Sequence, residues 1–252
     1  MHFVPLRSGR VECQIVGHDE AAPTIVFLHE GLGSIAMWRD FPARIAAAVG
    51  CNALVYSRFG HGNSDSLLSP HRPDFMHEEA LTVLPELLDR TAVTSPILLG
   101  HSTGASIALI HAGGANRPVA GVIAMAPHVM VEDLTLSGIA EAQGAYRTTA
   151  MRSKLAKHHA DPDSVFESWT SIWLDPAFRD WNIEAYVARI SCPILAIQGV
   201  DDEYGTMAHL DRIAASVRDT ELLKLAACGH SPHRDQPEAV QAAILRFIAR
   251  VR

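Results

Sequence analysis

Apolar runs of strand length recur along this chain, and each gives way to turn residues and then to a helix-like stretch. The runs are TIVFLHE, ALVYSRFG, SPILLGHS, VAGVIAMAPH, CPILAIQGVDD and ELLKLAACGH. A strand covered on one face alternates apolar and polar residues, whereas a strand covered on both faces reads as continuously apolar. Between the runs lie helical stretches such as FPARIAAAVG, HEEALTVLPELLDRTAV, GASIALIHAGG, HLDRIAASVRD and PEAVQAAILRFIARV. This alternation predicts an α/β fold built on a mainly parallel sheet with helices on both faces. GRVECQIVG alternates instead and reads as a half-exposed strand. Pro85 sits inside the second helical stretch, where it removes a backbone donor and predicts a kink or a restart.

One region breaks the alternation. From about Val129 to Asn182 there is helical pattern and three tryptophans, Trp169, Trp173 and Trp181, but no strand-like run. Structureless loops beyond about 15 residues are uncommon in compact domains. The region is therefore expected to be an inserted helical cap over 129–182, between core segments 1–128 and 183–252.

The charge balance narrows the partners. The chain of 252 residues carries a net charge of −7 with no cluster of Lys and Arg, which offers no footprint for nucleic acid or an anionic membrane. No apolar stretch approaches the roughly 18 residues needed to cross a bilayer, and MHFVPLRSGRVEC lacks a signal-peptide pattern. A cytoplasmic protein acting on a small molecule is expected. Cys13, Cys51, Cys192 and Cys228 show no C-x-x-C spacing and read as small apolar residues in a reduced compartment.

Reactive groups in open α/β sheets gather beyond the carboxyl ends of the strands. There ILLGHSTGAS carries Gly100-x-Ser102-x-Gly104, the pattern of a nucleophile elbow, in which a strained strand-to-helix turn lifts a serine to a helix N-terminus. The motif alone also fits a plain small-residue turn. Two later strand ends supply partners: IQGVDDEYGT ends in acids, and LAACGHSPHRDQPEAV presents His230. Ser, then Asp, then His is the chain order of a hydrolase triad, with serine attacking, histidine moving the proton and the acid holding the imidazole.

On these motifs the chain resembles the capped members of the α/β-hydrolase superfamily over essentially its whole length. The resemblance implies an eight-stranded, mostly parallel sheet and places the acid at Asp202, in Gly199-Val200-Asp201-Asp202, with Asp201 as the alternative. Gly229-His230, Asp235 and Pro237-Glu238 match the family's closing pattern, and Gly60, Gly62 and Ser64 match its G-x-G-x-S turn. Where the family usually has Asp, three residues before that turn, this chain has Ser57. The resemblance also assigns the oxyanion donors to the backbone N–H groups of Gly31 and Thr103. Glu30 replaces the glycine usual after His29, and it is expected to point away from the oxyanion and brace its loop. The stretches HEGLGS, YSRFG, MAPH and CGHSPHRDQP are similar to hydrolases found among proteobacterial enzymes of aromatic-compound breakdown.

Other residues carry two readings each. His128 either lines the pocket or hydrogen-bonds to the start of the cap. Arg58 either clamps a substrate carboxylate or forms a structural ion pair near its turn. Trp169 and Trp173, four apart on one helix face, pack the cap or wall the pocket. Trp38 is expected to anchor the first helix, and His158 and His159 to face solvent. No H-E-x-x-H is present, so no metal is expected, and no G-x-G-x-x-G opens a helix after the first strand, so no dinucleotide cofactor is expected. The expected chemistry is hydrolysis of an ester, lactone or thioester with only protein and water. Hydrolytic C–C cleavage of a ring-fission product, and a triad-bearing receptor, are the alternatives.

Overall fold

The computed structural model describes residues 2–67 and 71–252. An eight-stranded sheet runs through its centre: β1 (His2–Leu6), β2 (Gly9–Val16), β3 (Thr24–Leu28), β4 (Asn52–Tyr56), β5 (Ile97–His101), β6 (Gly121–Met125), β7 (Ile194–Gly199) and β8 (Thr220–Leu225). Their spatial order is β1-β2-β4-β3-β5-β6-β7-β8. β2 pairs antiparallel with β1 and β4, and every other pairing is parallel. The expected mostly parallel architecture is the one observed.

The inner strands are apolar throughout because both faces are covered. Ile25, Phe27, Val55, Leu99 and Ile123 point to one side, where α1 (Phe41–Val49) and the C-terminal helix Pro237–Val251 pack. Val26, Leu28, Leu54, Leu98 and Val122 point to the other. That second layer includes α2 (Phe75–Glu78), α3 (Leu84–Arg90) and α4 (Thr103–Gly114). Each such side chain contributes about 1.5–3 kcal/mol when fully buried. All residues from Thr103 to His111 are buried, so α4 is a core helix without a solvent face.

Two strands depart from expectation. β8 was expected to be covered on both faces, yet most of it is open, with Glu221 and Lys224 exposed. It is the last strand of the sheet, and its charges are the usual protection of an edge. β1, at the opposite edge, had no clear signal: its exposure alternates and it contains Pro5, which only an edge tolerates. Pro85 stands in the first turn of α3 just after a π-helical turn over Glu79–Val83, and because Glu78, Glu79, Val83 and Leu84 all keep helical backbone angles, the chain runs on as helix there instead of restarting.

Between β6 and β7 the chain is helical: α5 (Asp133–Thr148), α6 (Met151–Leu155), α7 (Pro162–Trp173), a 3-10 turn at Pro176–Phe178 and α8 (Glu184–Val187). An antiparallel bridge between Met130 and Asn182 draws the two ends of the excursion together. Among the described residues no helix is long and apolar enough to cross a membrane.

Candidate active site

The turn from β5 into α4 is dictated by two close approaches. A Cβ on Gly100 would overlap the Gly104 carbonyl, and a Cβ on Gly104 would overlap the carbonyl of Leu28 at the end of β3. Only glycine lets strand and helix meet this tightly. The residue between them takes the strain: Ser102 sits at φ 52°, ψ −119°, a conformation that costs a non-glycine residue about 1–3 kcal/mol.

The strained turn aims Ser102 at His230. The Ser102 hydroxyl donates to His230 Nε2 at 2.9 Å, and His230 Nδ1–H donates to Asp202 Oδ1 at 2.8 Å. Asp202 is buried, whereas Asp201 is exposed. Asp202 Oδ1 also accepts from the Tyr204 N–H at 2.8 Å, and its Oδ2 accepts from Gln198 Nε2 at 3.1 Å. Burial alone would raise this carboxyl, but the His230 and Tyr204 bonds outweigh it and hold the pKa below its ordinary value. The result is a carboxylate facing an imidazole whose free nitrogen accepts the serine proton.

Residues not anticipated from sequence hold the backbone of His230. Its N–H donates to Glu203 Oε2 at 3.1 Å, and its carbonyl accepts from His101 Nε2 at 2.7 Å. Just before it, Asp235 accepts from the Gly229 N–H at 2.9 Å, which gives the closing sequence pattern its physical role. His101 is the residue directly before Ser102, so its position inside the elbow motif was the available signal.

The loop after β3 carries Gly31 to the same place. Arg58 is buried and its guanidinium donates to the carbonyls of His29 (2.6 Å) and Glu30 (3.0 Å). The ion pair expected for Arg58 is thus replaced by a clamp on the two carbonyls that precede Gly31, and Arg58 does not line the cavity that holds Ser102. A Cβ on Gly31 would stand 2.5 Å from the Trp169 ring and 3.3 Å from Thr103 Oγ1, so Gly31 lies between the indole and the start of α4. Thr103 is the first residue of α4, where backbone N–H groups have no partner within the helix.

Glu30 folds over its own loop. Its carboxylate lies where a Cβ on Gly33 would be, and Oε2 stands 3.7 Å from His101 Nδ1, too far for a hydrogen bond. Glu30 also lines the cavity over Ser102.

The Ser57 departure is compensated from another strand. Ser57 Oγ donates to Glu12 Oε2 at 3.0 Å, and Glu12 also accepts from the N–H (3.1 Å) and side-chain amide (2.8 Å) of Asn63. The buried carboxylate this turn uses comes from β2.

The cavity over Ser102 has a volume of about 200 Å3. That is below the roughly 300–1,000 Å3 of sites for drug-sized ligands, so a compact occupant fits. Trp169 and Trp173 both line it, and Trp173 also packs edge-on against Phe178 and His128. His128 lines it too, and its Nε2–H donates to the Tyr204 carbonyl at 3.0 Å rather than to the start of the 129–182 segment. Burial, with His209 and His230 nearby, pushes the His128 pKa down to about 3, so the ring is neutral.

Two further expectations meet different fates. Trp38 packs against Phe27 and Phe41 and anchors α1. His159 does not face solvent: it is 6% exposed, accepts from the Gly62 N–H at 3.0 Å and donates to the Leu32 carbonyl at 2.9 Å. It ties the helical excursion to both the Gly31 loop and the turn after β4, where unpaired polar groups would otherwise be buried. Among the described residues no three His, Cys, Asp or Glu side chains group as a metal would require.

The model of the Alpha/beta hydrolase family matches residues 25–243. A mouse (Mus musculus) sn-1-specific diacylglycerol lipase is 29% identical over 105 residues, covering 42% of this chain and 33% of that protein. The chain thus matches about a third of the length of that relative. Among solved structures, an alpha/beta hydrolase from a Medee basin deep-sea metagenome library superposes with a TM-score of 0.80 at 17% identity, covering 98% of this chain and 97% of the other. The enol-lactonase of Burkholderia xenovorans superposes with a TM-score of 0.79 at 15% identity, covering 98% and 100%.

Proposed function

The chain belongs to the alpha/beta hydrolase family, and from that premise we propose that it is a serine hydrolase cleaving a compact ester, lactone or thioester through an acyl-serine intermediate. The hydrogen-bonded series Ser102–His230–Asp202 carries this reading. Ser102 Oγ attacks the carbonyl carbon while His230 Nε2 takes its proton, and Asp202 steadies the imidazolium that results. The carbonyl oxygen becomes an oxyanion facing the N–H groups of Gly31 and Thr103, each donor contributing about 2.7–4 kcal/mol. The bond to the leaving oxygen or sulfur then breaks, and the leaving group takes the proton from His230. A water attacks the acyl-serine by the same route, its proton passing to His230 and then to Ser102, and the acid departs.

The 129–182 segment acts as a cap in this proposal. It brings Thr135, Ile139, Met151, Leu155, Trp169 and Trp173 to the cavity, and its two ends meet at the Met130–Asn182 bridge. The indoles offer flat walls to a ring-derived substrate. The lipase and enol-lactonase among the similar proteins fall on the carboxylic ester and lactone side of the family's chemistry. A fluorophosphonate tests the assignment: the expected result is one covalent adduct, mapped by peptide mass spectrometry to Ser102. A folded protein left unlabelled, or labelled elsewhere, contradicts it.

A further inference from the structure

The cavity over Ser102 is uneven in its charges. Leu32, Met37, Ile139, Met151 and Leu155 make much of its wall, and no Lys or Arg is among its described lining residues. Arg58, the buried cation of this region, is committed to the His29 and Glu30 carbonyls. Glu30 is the one carboxylate among the described lining residues, and its side chain is 19% exposed. The His101 ring that faces Glu30 is 2% exposed and stands behind it, against Trp38 and His233.

Two other polar groups on the wall are buried without partners, Trp173 Nε1 and His128 Nδ1. Because His128 Nε2–H is spent on Tyr204, its Nδ1 can only accept, while the indole can only donate. Both residues are uncharged, so neither brings a cation to the wall.

We propose that Glu30 sets the charge class of the substrate, so that the cavity takes uncharged substrates and rejects those carrying a carboxylate on the acyl chain. An anion entering here loses its hydration, finds no cation and meets a like charge across an apolar gap. An uncharged group meets none of these penalties. The inference rests on Ser102 being the nucleophile of the site.

Phenyl pentanoate and phenyl hydrogen glutarate form a matched pair, differing in a terminal methyl against a terminal carboxylate. Phenol release by the wild-type protein is expected to favour the uncharged ester by about 100-fold or more in kcat/KM, the anion's lost hydration and its repulsion by Glu30 acting together. Glu30→Gln is expected to narrow that ratio by about tenfold, chiefly by raising the rate on the anionic ester. Binding is read separately in Ser102→Ala through quenching of Trp169 and Trp173 fluorescence, where only the uncharged ester should saturate. Ser102-dependent turnover of the glutarate ester at a matching rate would overturn the inference and leave the hydrolase reading intact. Selective binding of the pentanoate with no Ser102-dependent phenol release would overturn the hydrolase reading while upholding the charge class. An unchanged ratio in folded Glu30→Gln would overturn the role of Glu30, and Glu30→Ser carries the same test should Glu30→Gln fail to fold.

Discussion

Gly104 sits so close to the end of β3 that a Cβ on it would overlap the carbonyl oxygen of Leu28. The contact joins the helix after the nucleophile to the strand before the Gly31 loop, so it sets two parts of the site relative to each other. Gly104→Ala should cost about 3 kcal/mol or more, at the upper end for an overpacked core, and should reduce turnover further by shifting α4. Urea unfolding measures the first effect. A variant within about 0.5 kcal/mol of wild type would show that the elbow has room this account denies it.

Ser57 and Glu12 yield a prediction opposite to the one family pattern suggests. Restoring the usual acid with Ser57→Asp would place a second carboxylate against Glu12 Oε2, now 3.0 Å from the serine hydroxyl. Two buried like charges should destabilise the fold by about 3 kcal/mol, and Glu12→Gln added to Ser57→Asp should recover part of the loss. Equal thermal stability of Ser57→Asp and wild type would contradict this.

The legible parts of the molecule were those whose signal is local. β3 to β7 could be read because burial on both faces leaves a continuous apolar run, Ser102 and Asp202 were singled out just past the ends of two such runs, and His230 by its Gly-His pattern beyond the last strand. β1 and β8 lie at the edges, where exposure breaks the run. Glu12, His101, Glu203 and His159 act on partners in other segments, with Glu12 and Ser57 separated by 45 residues. His159 also lies in a polar stretch that ordinarily marks a solvated surface. No local pattern encodes such pairings, and the outline of a cavity formed between segments is equally invisible in sequence.

Buried histidines predict an acid-sensitive fold. Burial pushes His61 and His128 from the ordinary 6.5 down to about 3, and His233 to about 2. Below about pH 6.5 the unfolded chain binds protons at these sites while the folded chain does not, so acid favours unfolding. Stability from these groups should be complete above that pH and fall progressively towards pH 3, by up to about 1.4 kcal/mol per unit for each histidine. Tm should therefore be clearly lower at pH 5 than at pH 7.5. Equal values would mean that these rings are protonated in the fold.

Asp202 and Asp201 are neighbours with unequal surroundings, one buried under hydrogen bonds and one exposed. Asp202→Asn removes the carboxylate that fixes the His230 tautomer and should lower kcat by about 10⁴-fold. Asp201→Asn should stay within about tenfold of wild type on the same ester. The reverse order would move the acid by one position.

The central claim is that Ser102 attacks the substrate. Steady-state hydrolysis of aryl esters and enol lactones by wild type and by Ser102→Ala, at matched concentration and with folding checked by circular dichroism, tests it most directly. The account predicts wild-type turnover of at least one of them and a fall of about 10⁴-fold or more in the variant. Comparable rates from the two folded proteins would contradict it.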